Sequence, residues 1–175
     1  MTWQDVLIDG YKRIPGSVEH VAKGLKQADL DWRPAKDANS IGWTLWHATR
    51  GEDAQISDLM GEKQLWIADG WHKKFDRPAD PGDTGFGHKP KQLAAFKSPP
   101  ASVLIGYQKA VTKRSIKYLK SLKSSDLARE LNEPWFQPLP TVGVRLMSIL
   151  EDSVLHGGEA SYIRGLRHGL GWQQY

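Results

Sequence analysis

The sequence predicts an all-α fold, a four-helix bundle with a long irregular segment between its second and third helices. Three observations predict it. Apolar residues recur at three- and four-residue steps in four separate stretches. No convincing run of alternating apolar and polar residues marks a strand. Eight of the ten prolines fall between Pro78 and Pro140, so the helix breakers gather in the connections. The chain has 175 residues, 39% hydrophobic and 25% charged, enough for one domain over residues 1–175 with a real core.

In the first helix the apolar steps are Trp3, Leu7, Gly10, Ile14, Val18, Val21 and Leu25. Pro15 lies among them. It removes a backbone donor and crowds the preceding turn, so a kink or a split is expected there. Residues 29–39 are polar and contain Pro34, which reads as a loop. Ser40 is placed to cap a second helix reaching Met60, with Ile41, Leu45, Ala48, Ile56 and Leu59 on its main apolar arc. Over residues 61–100 the helical period fades, and Asp80-Pro81-Gly82-Asp83-Thr84-Gly85-Phe86-Gly87 is turn chemistry. A structureless stretch of that length is uncommon in a compact domain. Short helical turns anchored by Trp66, Trp71 and Phe75, covering something, are therefore expected. The third helix carries Leu104, Tyr107, Val111, Tyr118 and Leu122 on one stripe and Lys109, Lys113, Arg114, Lys117, Lys120 and Lys123 elsewhere. A rigid connector, Glu133-Pro134-Trp135-Phe136-Gln137-Pro138, precedes Thr141, which can cap a fourth helix running to about His168.

Composition excludes several classes. With no cysteine there is no disulfide, zinc finger, iron–sulfur cluster or cysteine nucleophile, so any metal must be held by His and carboxylates. A reducing cytoplasm fits this usage. No stretch approaches 18 consecutive apolar residues, so no transmembrane helix and no membrane partner are expected. The opening Met1-Thr2-Trp3-Gln4-Asp5 lacks the basic and apolar blocks of a signal peptide. A net charge of +4 is mild for a nucleic-acid binder. The lysines of the third helix lack interleaved aromatics, and no nucleic-acid partner is expected. Phosphate-cradling, H-E-x-x-H and G-x-S-x-G motifs are all absent.

The chemistry that remains is on two helices. Asp152 and His156 are one turn apart on the fourth, so both side chains can reach one ion. Thr141, Arg145, Ser148, Asp152, His156 and Glu159 form one narrow polar stripe on a helix that is otherwise mostly apolar or small. A helix apolar nearly all round is buried on most sides. The stripe is then either its one solvent strip or the lining of a site. His47 lies between the aliphatic arc of the second helix and Trp43/Trp46, either as a core-edge residue or as a ligand. Glu52 falls on the arc, and a buried carboxylate needs a partner. Arg50 is either a surface ion pair or a cation serving a site. His20, His72, His88 and His168 read as surface residues.

At these residues the sequence resembles the DinB/YfiT-like superfamily of small four-helix metalloproteins. Three pieces carry the resemblance: Leu30-Asp31-Trp32-Arg33-Pro34 leading into Asn39-Ser40-Ile41-Gly42-Trp43-Thr44-Leu45-Trp46-His47 with Arg50, Glu52 and Asp53; Asp152-Ser153-Val154-Leu155-His156-Gly157-Gly158-Glu159; and Tyr162-Ile163-Arg164-Gly165-Leu166. The resemblance implies a divalent metal held by one His on the second helix and an H-x-x-x-H pair on the fourth. By position the ligands are His47, Asp152 and His156, with Arg50 and Glu159 behind them. Asp152 departs from the pattern, since many relatives have His there, and Glu159 stands where Gln is frequent. Two imidazoles and a carboxylate suit Zn²⁺, Ni²⁺, Mn²⁺ or Fe²⁺. The resemblance further implies an enzyme acting on a small-molecule substrate. The reaction would be a thiol S-transfer, an isomerisation or a hydrolysis, with a low-molecular-weight thiol such as mycothiol or bacillithiol as cosubstrate. The alternative is a non-catalytic binding or structural protein whose metal site is vestigial or absent. The apolar excess of the fourth helix and the eight tryptophans add the expectation of a homodimer.

Overall fold

A computed structural model describes residues 1–169 and 171–172. Its helices are α1 (Trp3–Ala22), α2 (Gln27–Leu30), α3 (Ile41–Met60), α4 (Leu65–Ala68), α5 (Trp71–Lys74), α6 (Pro90–Ala95), α7 (Ala101–Ser121) and α8 (Val142–His168), with a 3-10 turn at Ser124–Ala128 before α8. The described residues contain no β-strand, only an isolated antiparallel bridge between Glu130 and Thr141. The four long helices form the bundle. Around it the order is α1, α7, α3, α8, each packed on its two neighbours.

The ends of these helices follow from their capping residues. Thr2 and Asp5 close a reciprocal capping box on α1. Ser40 Oγ accepts the Trp43 N–H at 3.2 Å, and Gly61 stops α3 in the left-handed region at φ 65°. Thr141 Oγ1 accepts the Val144 N–H and starts α8. The kink or split expected at Pro15 does not divide α1, which runs as one element. Ile14 and Val18 on either side of the proline are both buried, so core packing holds the helix on both sides of it.

The core has two parts. Toward one end Tyr11, Ile14, Ile56, Leu119, Leu146 and Ile149 interlock, and Tyr11 donates its hydroxyl to the Leu146 carbonyl at 2.8 Å. Toward the other end the core is aromatic. Trp46 and Trp66 are fully buried, and Trp66 packs on Phe75 and Tyr107. The expected short turns over residues 61–100 are α4, α5 and α6. They cap this aromatic end, with Trp66 and Phe75 as buried anchors and Trp71 half-buried on Tyr107.

Three sequence expectations are corrected here. The apolar surface of α8 is not buried within the chain. Val144, Met147, Val154, Leu155, Tyr162 and Leu166 are each more than half exposed, because α1 and α3 flank only one side of the helix. Arg114 does not join the exposed basic face of α7. Its side chain is 9% exposed and bonds to Glu62 and the Lys63 carbonyl beside the connection. His88 is not a surface residue. The connection folds back so that its ring lies against Trp46, accepts from Trp43 Nε1 at 3.2 Å and donates to Asp83 at 3.0 Å.

Candidate metal centre

Adjacent helices α3 and α8 bring the sequence-predicted residues together. On α8 the one-turn spacing places Asp152 Oδ1 3.4 Å from His156 Nε2. From α3, the His47 ring meets the His156 ring edge to face with centroids 4.9 Å apart. Asp152 leans toward α3 as well: a methyl group added to Gly51 would stand 3.6 Å from Asp152 Oδ2. All three side chains are half-buried, at the margin between core and solvent.

Each imidazole is held through Nδ1. His47 Nδ1 lies 2.6 Å from the Thr84 carbonyl. A carbonyl only accepts, so this nitrogen carries the proton and Nε2 keeps its lone pair. The ring also stacks on Trp43, 4.8 Å between centroids. His156 Nδ1 donates to Glu159 Oε2 at 2.6 Å. Such hydrogen bonds behind a histidine fix its tautomer and orientation.

The carbonyl of Thr84 reaches His47 because Gly85 follows it. Gly85 has φ 90°, and a Cβ there would stand 2.9 Å from Trp46, 3.0 Å from Trp43 and 3.1 Å from His47 Nδ1. Only glycine allows both the conformation and the approach. The loop is held from beneath by Arg50, which is not a surface ion pair and whose hydrogen bonds go to none of the three residues. Fully buried, it donates to the carbonyls of Asp80, Pro81 and Asp83 and to Gln64, with its guanidinium 4.6 Å over the Trp66 ring. Its link to the site is therefore indirect, through the loop whose Thr84 orients His47.

The charges differ between the two histidines. Burial lowers the pKa of His47, opposed by the Thr84 bond, so its imidazole is neutral near pH 7. His156 is pushed up to about 9, first by its bond to Asp152 and, against the effect of burial, by Glu159. Asp152 is held down chiefly by the same bond. The cluster thus rests as a neutral imidazole beside a cationic one clamped between two carboxylates. Among the described residues, no group of three or more His, Cys, Asp or Glu side chains is arranged to hold a metal ion as it stands. The residues are neighbours, with the His156–Asp152 contact occupying donor atoms that an ion would need.

Sequence reading reached His47, Asp152, His156 and Glu159 but missed Thr84. Its contribution is a backbone carbonyl, which every residue owns. The faint signal was Gly85, a glycine in turn chemistry with two tryptophans and a histidine to approach.

The profile of the DinB superfamily matches residues 11–160. A crystal structure of a conserved protein from Enterococcus faecalis superposes with a TM-score of 0.87 at 28% identity, covering 97% of this chain and 99% of that one. No protein of curated function matches the chain in sequence. The matched span includes α3 and α7 whole and most of α1 and of α8, with all three residues of the cluster, and the chain belongs to the DinB superfamily.

Proposed function

We propose that His47, Asp152 and His156 bind a divalent cation in a metal-dependent enzyme that activates a low-molecular-weight thiol or a water. The observation that carries the reading is the pair of imidazoles meeting beside a carboxylate, each secured from behind through Nδ1. Two neutral imidazoles and one carboxylate fit Zn²⁺, Ni²⁺, Mn²⁺ or Fe²⁺ and leave coordination positions over. Such an ion, when bound, lowers the pKa of a coordinated water or thiol.

The chain's own residues have distinct tasks. Thr84 keeps the proton on Nδ1 of His47, so that Nε2 is available as a donor atom. Glu159 orients His156 and takes up its Nδ1 proton in a strong hydrogen bond. Asp152 supplies the anionic oxygen and, until a cation replaces it, holds the second proton of His156 in place. Loading therefore exchanges a proton for the ion, and apparent affinity rises with pH below about 9.

Elemental analysis of protein purified without a histidine tag tests the assignment. One ion per chain is expected, and none in His156→Ala, with helicity by circular dichroism unchanged. Stoichiometric metal retained by His156→Ala overturns the ligand set. A thiol-conjugation screen with the loaded protein then tests the reaction class. One observation favours a second reading: the His156, Asp152 and Glu159 group is already a complete ion-paired unit. Failure of Zn²⁺, Ni²⁺, Mn²⁺ and Fe²⁺ alike to bind decides for a non-catalytic bundle.

A further inference from the structure

We infer that the groove between α1 and α7 is a binding site for a linear polyphosphate chain, either inorganic or carried as the triphosphate of a nucleotide. The groove lies across the bundle from His47, Asp152 and His156, which sit between α3 and α8. Its volume of about 460 Å³ is that of a small-molecule site. Lys12 of α1 stands on one rim and Lys109, Lys113, Lys117 and Lys120 of α7 on the other. All five are exposed. At 100° and 1.5 Å per residue, the four of α7 keep to about a quarter of the helix circumference over about 16 Å of its length.

These lysines lack the partners that other cations of the chain have. Arg13, Arg77, Arg114, Arg145 and Arg167 each meet a carboxylate. No carboxylate lines the groove. Among the described residues only Lys109 of the five is ion-paired, to Glu19 at 2.6 Å. Five lysines less that one carboxylate leave the groove as positive as the whole chain, whose net charge is +4. Lys109, Lys113 and Lys117 repeat at four-residue steps, the spacing at which like charges on a helix repel. The helix dipole offsets only Lys120, in the last turn. A bound polyanion relieves the whole row.

The chemistry of the groove selects among anions. A lysine ammonium is a point charge without the planar fork of arginine, and no arginine lines the groove. The row therefore reads charge density, not the shape of a carboxylate. One phosphate is too short to meet lysines spread over about 16 Å. A chain of phosphates carries charge at every unit and can follow the row. The side chains of the floor, Pro15 and Ile116, offer no acceptor that competes for the ammonium groups. A protein partner fits less well, because lysine is depleted at the centres of protein interfaces and the groove has no aromatic anchor. Nor does it hold an aromatic face on which a base could stack. No large apolar side chain of α7 is exposed to enter a bilayer.

Calorimetric titration of the metal-free full chain with sodium tripolyphosphate in about 50 mM NaCl tests the inference. One site per chain is expected, with a Kd below about 100 μM that weakens tenfold or more at about 300 mM NaCl. Orthophosphate is expected to bind about 30-fold more weakly or worse. The double variant Lys113→Gln, Lys117→Gln alters only exposed side chains, so it is expected to stay folded and to lose tenfold or more in affinity. Lys91→Gln, Lys97→Gln removes the same charge outside the groove and is expected to bind as the unaltered chain does. Displacement of tripolyphosphate by ATP and GTP alike assigns the groove to the triphosphate of any nucleotide; displacement by neither assigns it to the inorganic chain. No binding at about 1 mM tripolyphosphate overturns the inference. An equal loss in the two lysine pairs does so too, since net charge alone would then account for binding. Tighter binding of an oligothymidine of about 20 nucleotides, or of phosphatidylserine vesicles, lost in the Lys113 and Lys117 variant, gives the groove to nucleic acid or membrane and overturns it equally. None of these readouts depends on metal content.

Discussion

Helix α3 feeds two polar clusters less than two turns apart, and they are built on opposite principles. Around Asp53 every strong acceptor is met by protein. The carboxylate takes the N–H groups of Leu65 and Trp66 at 3.0 and 2.8 Å and the Tyr107 hydroxyl at 2.7 Å, with Arg50 and Arg114 each 3.8 Å away. Glu52 beside it receives Gln108 and Ser115, both at 2.6 Å. At His47 the protein meets Nδ1 and places a second imidazole and a carboxylate alongside. A polar cluster closed on itself stabilises and locates structure. One built with convergent donor atoms at the bundle margin is suited to receive something. Burial of polar groups alone does not separate the two; the accounting of their partners does.

The largest effect expected from breaking this contrast is at Asp53. Asp53→Ala strands two backbone donors, a hydroxyl and buried Arg50, and should cost about 3–5 kcal/mol in urea denaturation. A loss below about 1 kcal/mol would deny the closed cluster its structural role. Next comes Glu52. Burial raises its pKa from 4.5 to about 7, against the pull of the Ser115 and Gln108 bonds. The folded state therefore binds this proton more tightly than the unfolded one, and stability falls as pH rises from about 4.5 to about 7. Glu52→Gln should remove that slope and add on the order of 3 kcal/mol at pH 8, with little change at pH 4. Denaturation midpoints at the two pH values decide it.

Two smaller effects sharpen the other side. Gly85→Ala forces a Cβ against Trp46, Trp43 and His47, and the loop must lift. A loss of about 1–3 kcal/mol is expected from the strained backbone. A fall of about 10- to 100-fold in metal affinity should accompany it, because Thr84 no longer orients His47. Calorimetric metal titration of the folded variant checks the second part. Smallest in stability is Glu159→Gln, under about 1 kcal/mol because the pair is partly exposed. Its signature is in titration. The raised pKa of His156 means that its ion pairs stabilise the fold fully below about 6.5, and that this contribution is lost as pH rises through about 9. Without Glu159 the His156 titration seen by NMR should move down toward the ordinary histidine range. A titration still near 9 would leave Asp152 as the sole cause.

Much of this was legible in the sequence where the controlling physics is local. Ser40 and Gly61 bound α3, and Thr141 starts α8, because caps act over three or four residues. Asp152 and His156 share a face because helical spacing requires it. What was not legible lies across the chain. Gln108, Thr112 and Ser115 look like the polar side of α7, yet all three are buried and two of them hold Glu52. Their spacing of four and three residues was the available signal. Arg50 and His88 gave none, since their surroundings exist only once residues 61–100 have folded back.

The latch on that connection has a consequence for the order of folding. Asp53 grips the start of α4 from α3, while Tyr107 and Arg114, which steady the grip, come from α7. The connection can dock only where α3 and α7 already lie side by side. The bundle can pair its long helices without Thr84 in place, but His47 cannot acquire its fixed proton without it. The site is therefore complete only once the connection has docked, and local opening of the connection is expected to release His47 from Thr84 before the long helices separate.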